Sequence, residues 1–351
     1  MKKRYLILED GTIFQGWAFG ADKAVTGELV FNTSVVGYVE NLTDPSYCGQ
    51  ILMQTFPAVG NYGIMEEDFE GKPMLNGYVV KEFCAQPSNF RCEYDLDTFL
   101  KNHDIPGLCG VDTRELPNRL REYGTINAMI TEKMPEVFED IAAYTIVDAV
   151  EQSTCTETSV HEAEGACLAK VVLVDYGVQK SLIRFFTGRG CQVTVVPAKT
   201  SAADILAHDP DGIVLSGGPG DPAVNKACIA VIAELIGKKP IFGVGLGHQM
   251  LAIAMGGKTR KMKYGHRGGN QPCRSLKGTR TYITAQNHGY VVLAESVPNA
   301  EELYRNVNDN TCEGLLYEKA VSVQFHPDGC TTGAQNNNEL FDRFLTMMKE
   351  G

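Results

Sequence analysis

Pro240-Ile-Phe-Gly-Val-Gly245-Leu-Gly-His-Gln-Met250 reads as a buried strand that breaks at glycines and turns at once into an apolar helix through Leu251 to Met255. This is the shape of a nucleophile elbow, where a strained backbone at the apex lifts one side chain above the sheet. The next backbone N–H faces the same point as an oxyanion donor. The apex here is Gly245. A glycine-rich turn from strand to helix also suits a phosphate or nucleotide loop, or close packing alone, so this stretch by itself leaves the chemistry open.

Working outward, apolar runs alternate with helical patterns. Val171–Val174, Gln192–Val196 and Gly212–Leu215 read as strands, and Ser181–Phe186, Ala202–Ala207 and Ala227–Ile236 as helices, before the elbow strand itself. Such alternation implies right-handed βαβ crossovers and a parallel sheet covered on both faces. Ligands bind beyond the carboxyl ends of such strands. The third strand runs into Ser216-Gly-Gly-Pro-Gly-Asp-Pro222 and the fourth into the elbow, so the two loops are expected to meet at one site. Far downstream the apolar run Ala320–Phe325 ends in His326-Pro327-Asp328.

The 351 residues suffice for two domains with separate cores, and 44% hydrophobic with 21% charged residues is the balance of a globular protein. A formal net charge of -11 argues against nucleic acid as a partner. The basic start Met1–Arg4 is followed by too short an apolar run for a signal peptide, and no stretch approaches the ~18 apolar residues of a membrane span. A cytoplasmic location is expected. The eleven cysteines form no C-x-x-C pair and no local His/Cys group, so they are read as reduced thiols and none is assigned to metal.

Before the sheet pattern begins, strand signals dominate. Tyr5–Phe14 holds two short strands about an Asp-Gly turn, and Gly27–Phe31, Gln50–Phe56 and Gly77–Phe83 are further strands. Asp112–Glu122 has a capping start and reads as a helix. Residues 151–165 are polar, small and unpatterned, a linker.

The elbow resembles the Gly-x-Cys-x-Gly-His-Gln motif of the class I (triad) glutamine amidotransferases, and His326-Pro327-Asp328 resembles their His with a Glu two residues on. The first half carries Leu8-Glu-Asp-Gly-Thr-x-Phe14, Phe31-Asn-Thr33, Gly37-Tyr38, Leu42-Thr-Asp-Pro-Ser-Tyr47, Gly60-Asn-Tyr-Gly63, Pro87-Ser-Asn-Phe90 and Pro106-Gly-x-x-Gly-x-Asp-Thr-Arg114, which look like the amino-terminal domain of the carbamoyl-phosphate synthase small subunit. The resemblance spans nearly the whole chain. It implies an α/β fold: a β-rich domain over 1–150, a linker over 151–168, and a flavodoxin-like doubly wound class I amidotransferase domain over 169–351. The implied partner is a large subunit that binds ATP and Mg²⁺. No cofactor is expected on this chain, which has no P-loop pattern.

In that family the apex cysteine attacks the glutamine side-chain amide. By resemblance His326 is the base and Asp328 its orienter, and the N–H groups of Leu246 and Gly218 bind the oxyanion. Ser46, Gly220, Gln249, Asn287, Gly289 and Tyr290 would contact the bound glutamine. Taken singly, a serine after proline or a loop glycine is a turn residue, so each role rests on the motif around it. Departures gather at this site: Gly245 replaces the thiol, Asp328 stands where Glu is usual and Gly217 where Asn is usual. Ser181 takes an Asn position, and Arg267 and Gln271 interrupt a Gly-His-His-Gly-Gly-Asn-His run. Three readings follow: a synthase small subunit with an impaired glutaminase, a working one with an erroneous or engineered Gly245, or a non-catalytic glutamine-binding or regulatory protein. Cys330 has no elbow around it and is a poor substitute nucleophile.

Overall fold

The computed structural model describes residues 2–134, 138–328 and 338–350. The chain divides into two compact units, Met1–Ala149 and Val150–Gly351.

The first unit is built on seven strands, β1 (Lys3–Leu8), β2 (Ile13–Gly20), β3 (Val25–Asn32), β4 (Gln50–Gln54), β6 (Gly77–Val80), β8 (Pro106–Cys109) and β9 (Ile126–Thr131). They close into a barrel in the order β1-β2-β8-β6-β4-β3-β9, which leaves no unpaired edge. Two short strands, β5 (Ala58–Val59) and β7 (Glu82–Phe83), pair separately. The Asp-Gly turn read from sequence joins β1 to β2 in antiparallel register, Leu6 opposite Phe14, with Gly11 at φ 83°. Leu52, Tyr78, Phe99 and Leu100 lie fully buried in this unit's core. The expected helix forms as Glu115–Tyr123, where Asp112 Oδ1 accepts from the N–H groups of Arg114 and Glu115.

The second unit is a ten-stranded sheet: β10 (Ser159–His161), β11 (Ala169–Asp175), β12 (Cys191–Pro197), β13 (Gly212–Leu215), β14 (Ile241–Val244), β15 (Lys258–Ser275), β16 (Thr281–Leu293), β17 (Glu301–Asn306), β18 (Cys312–Tyr317) and β19 (Ala320–Val323). The parallel core runs β12-β11-β13-β14-β19. Counted along the chain this is the order 2-1-3-4-5, the flavodoxin-like winding expected from the alternating pattern. Ile205, Ile232, Leu235, Met250 and Leu251 pack on one face, and Phe186, Phe242, Phe341 and Phe344 on the other. The strands between are therefore buried on both sides and read as continuous apolar runs.

Two features differ from the sequence reading. The stretch taken as a linker over 151–168 is partly ordered: β10 lies antiparallel on β12, and Cys155 N–H donates to Asp175 Oδ2 at 2.7 Å. Its polarity fits an edge strand as well as free chain, because one strand face and one ladder edge meet water. The other is an antiparallel extension, β18-β17-β15-β16, added to the parallel core beyond β19. Its β15 and β16 are 18 and 13 residues long and bulge between Lys261 and His266 and again between Gly268 and Gln271, which breaks the two-residue alternation by which strands are recognised.

Candidate functional site

The elbow forms as the glycines dictate. Gly245 adopts φ 54°, ψ -112°, a conformation that a residue with a Cβ reaches only under strain, and the helix Leu246–Ala254 starts at the next residue. Two backbone bonds pin the turn. Gly245 N–H donates to Val323 O at 2.9 Å, tying the apex to the end of β19, and Gly247 N–H donates to Ser216 O at 2.9 Å, tying the helix to the loop after β13. Gly247 has no room for a side chain, because a Cβ there would stand 2.4 Å from Leu215 O. The helix can approach the strand this closely only at glycine.

The loop after β13 is shaped by the same constraint. A Cβ at Gly218 would stand 2.2 Å from Tyr176 O, and Ser216 Oγ accepts from Tyr176 N–H at 2.9 Å, so the ends of β11 and β13 are locked together. Gly220 sits at φ 89°. Gly217 is unlike these neighbours, since nothing lies within 4 Å of a Cβ placed on it. Leu246, the first residue of its helix, has an N–H with no partner inside that helix. The structure thus brings Gly217, Gly218, Gly220, Gly245, Leu246 and Gln324 to the carboxyl end of the parallel sheet, where the fold places ligands.

The apex is vacant in chemistry and roomy in space. A Cβ built on Gly245 would meet Gly217 Cα at 3.4 Å and Gln324 O at 3.9 Å, ordinary contact distances, and no His326 atom comes within 4 Å of it. His326 follows β19 and is fixed by its backbone N–H, which donates to Ala285 O at 3.0 Å. Asp328 does not hold it in this structure: both carboxylate oxygens are buried and neither has a hydrogen-bond partner. This departs from the role expected for Asp328, whose side chain is one methylene shorter than the Glu of the motif. Asp328 does exert a field on Arg189, stacked 3.9 Å over the Phe185 ring; burial lowers the Arg189 pKa and Asp328 opposes that lowering. Cys330 lies outside the described residues.

Gln249 is committed within the protein. Its Nε2 donates to Tyr290 O and to Gln324 Oε1, each at 2.9 Å, so it braces β16 against the end of β19. Asn287, Gly289 and Tyr290 are half-buried on β16, and the Arg267 guanidinium on β15 lies against Gly289. Ser46 belongs to the first unit, in the short 3-10 turn Pro45–Tyr47, where its N–H donates to Asp44 Oδ1 at 2.9 Å. Sequence reasoning missed Gln324 and the buried pair His248–Ser322, Nδ1 to Oγ 2.7 Å. Burial pushes the His248 imidazole down to about 3, so it stays neutral. The only signal for either was position: Gln324 ends an apolar strand and His248 lies on the buried face of the elbow helix.

Comparison with known proteins bears on both halves. Residues 6–130 match the family model described as carbamoyl-phosphate synthase small chain, CPSase domain, and residues 172–347 match that of glutamine amidotransferase class-I. The chain is 46% identical over 358 residues to the carbamoyl phosphate synthase small chain of Oceanobacillus iheyensis, covering 99% of this chain and 97% of that one. It is 44% identical to the protein of the same name from Staphylococcus saprophyticus, covering 100% and 97%, and 44% identical to that from Bacillus cereus, covering 99% and 96%. Among solved structures, a glutamine amidotransferase from Thermotoga maritima is similar at a TM-score of 0.38 and 18% identity, covering 54% of this chain and 84% of that one.

Proposed function

Because the chain belongs to the carbamoyl-phosphate synthase small-chain family, we propose that it is the amidotransferase subunit of that glutamine-hydrolysing ligase, with the glutaminase step silenced at Gly245. One observation carries the reading: the elbow is complete in its backbone and bears no side chain at its apex. Amide hydrolysis through a thioester needs a nucleophile, a base, a group to orient the base and oxyanion donors. Here the donors Leu246 and Gly218 remain, while the nucleophile is gone and Asp328 has no grip on His326. Removal of a nucleophile costs on the order of 10⁶ in rate, and oxyanion contacts with binding retain roughly 10³–10⁴ over water.

In this reading the subunit docks on a large subunit, which binds ATP and Mg²⁺, and the complex makes carbamoyl phosphate from free ammonia in the cytoplasm for arginine or pyrimidine synthesis. Among the described residues no helix is long and apolar enough to cross a membrane. An isolated error at Gly245 is disfavoured because Gly217 and Asp328 depart from the motif at the same end of the sheet. The test is an assay of the copurified complex with each nitrogen source. Ammonium should support synthesis and glutamine almost none; comparable rates from glutamine at low ammonium would sink the proposal. A second reading, a non-catalytic glutamine-binding or regulatory protein, gains from Gln249 being held within the protein. It takes over if the chain binds glutamine yet never copurifies with a large subunit.

A further inference from the structure

His266 on β15 and His288 on β16 are direct cross-strand partners, and their rings meet edge to face with centroids 5.0 Å apart. Glu313 on β18 completes a buried cluster in which one nitrogen from each histidine and one carboxylate oxygen all lie within 4.8 Å of one another. Gln286 Oε1 stands among them, 2.8 Å from His288 Nε2 and 3.1 Å from His266 Nδ1, and His266 Nδ1 is 3.3 Å from Glu313 Oε1.

The outward-facing atoms decide what the inward-facing ones carry. His288 Nδ1 stands 2.8 Å from Tyr290 O, a carbonyl that can only accept, so the proton is on Nδ1 and Nε2 presents a bare lone pair. His266 Nε2 stands 3.0 Å from Asp309 Oδ2, which places a proton outward on Nε2, and Nδ1 faces the cluster; a metal would take the neutral ring through Nδ1. Glu313 is fully buried, and its Oε2 has no hydrogen-bond partner. Acceptors therefore predominate where the cluster converges, the His288 lone pair, the Gln286 amide oxygen and the Glu313 carboxylate; the donors at its edge are Asn306 Nδ2, 3.3 Å from His266 Nδ1, and the Thr311 hydroxyl, 3.2 Å from Glu313 Oε1. A second proton on His288 would bury a charge in a residue 7% exposed.

We propose that His266, His288, Glu313 and Gln286 form a structural site for a divalent transition metal, with zinc the ion that fits best. Tetrahedral zinc with bonds of about 2.0–2.1 Å separates its donors by roughly 3.3 Å; the contacts through Gln286 and Glu313 are 2.8–3.3 Å, and the remaining donors, within 4.8 Å of one another, would draw in around the ion. An N/O donor set with two imidazoles selects zinc over magnesium or calcium. Asp309 and the Tyr290 carbonyl are the outer partners that fix tautomer and ring orientation, as carboxylates and carbonyls do behind metal-bound histidines. The ion would tie β15, β16 and β18 together behind Asn287–Tyr290. The ligands are scattered over 266–313, which is why no spacing motif revealed them.

The rival needs no ion: Gln286 with its amide reversed donates to His288 Nε2, while His266 is an imidazolium between Asp309 and Glu313. The test is metal analysis of the unmodified full chain, followed by cobalt(II) titration of the chelator-stripped protein. The expected result is near-stoichiometric zinc, and a visible cobalt band of tetrahedral type without thiolate charge transfer. Asp309 is partly exposed, so Asp309→Asn should fold normally and weaken zinc binding by about 10–100-fold; Glu313→Gln should abolish it. Protein that neither carries zinc nor takes up zinc or cobalt overturns the proposal. So does metal binding that both variants leave unchanged, since the ion would then sit on other residues.

Discussion

Restoring the thiol is the most direct challenge to the site assignment. Gly245→Cys places a Cβ 3.4 Å from Gly217 Cα and 3.9 Å from Gln324 O, so no atom has to move to admit it. The cost is conformational: φ 54°, ψ -112° is strained for any residue with a side chain, by about 1–3 kcal/mol. At roughly 2–4 °C per kcal/mol for a unit of this size, Tm should fall by about 2–12 °C and the fold should persist. Activity should return only in part. The carboxylate expected to orient the imidazole, Asp328, has no hydrogen bond to it. Misplacement by about 1 Å costs ~10²-fold. Gly245→Cys with Asp328→Glu should therefore exceed the product of the single effects, because both act through one histidine. Ammonia release from glutamine gives the rates, and covalent capture of a glutamine-analogue electrophile, mapped by mass spectrometry, reports thiol reactivity. A folded single variant that is never labelled, together with a double variant no faster, refutes the roles given to His326 and Asp328.

Glutamine should still bind to the unmodified chain, modestly, through the loop and β16 residues; no heat in a calorimetric titration at millimolar glutamine would leave the site as scaffold alone. Gly247→Ala should be strongly destabilising, with its Cβ 2.4 Å from Leu215 O, whereas Gly217→Asn should leave Tm within about 2 °C because nothing lies within 4 Å of that Cβ; equal losses in thermal melts would contradict the packing argument. Acid should weaken the second unit through His248. Its folded pKa near 3 lies below the ordinary 6.5, so the unfolded chain takes the proton first. Stability is then full above pH 6.5 and falls between 6.5 and 3 by an amount on the order of 5 kcal/mol. Urea titrations across that range should be visibly flatter for His248→Asn.

The parallel core was legible because burial on both faces writes itself as continuous apolar runs, and each crossover helix shows its own period. Even the elbow apex could be numbered from the glycines alone. The barrel was less so: five of its strands were read singly, but β8 and β9, on which closure depends, were not, and their pairing partners β2, β6, β1 and β3 are remote in the chain. The antiparallel extension went unread because bulges between Lys261 and His266 and between Gly268 and Gln271 disrupt the alternation of β15 against β16. Histidine tautomers were beyond reach of any sequence argument, since they depend on which carbonyl or carboxylate lies behind each ring.

The pattern of what this site keeps and what it gives up separates scaffold from chemistry. Gly218 and Gly247 are glycine by necessity, their Cβ positions lying within 2.4 Å of backbone oxygens, and any side chain there would break the contacts that join β11, β13 and the elbow helix. Gly245 and Gly217 are under no such compulsion. The first has ordinary clearance and the second open space, so packing does not explain the absence of a thiol or an amide at either. Asp328 fits the same division, since its carboxylate supports no hydrogen bond in the fold. Gly245, Gly217 and Asp328 thus depart from the motif at positions that the packing of the loops leaves unconstrained, while Gly218 and Gly247, which hold the loops together, and His326 are kept. Under the proposed reading, in which the chain folds and docks without hydrolysing glutamine, departures are expected at Gly217 and Asp328 as well as at Gly245, and reverting Gly245 alone should not recover full activity.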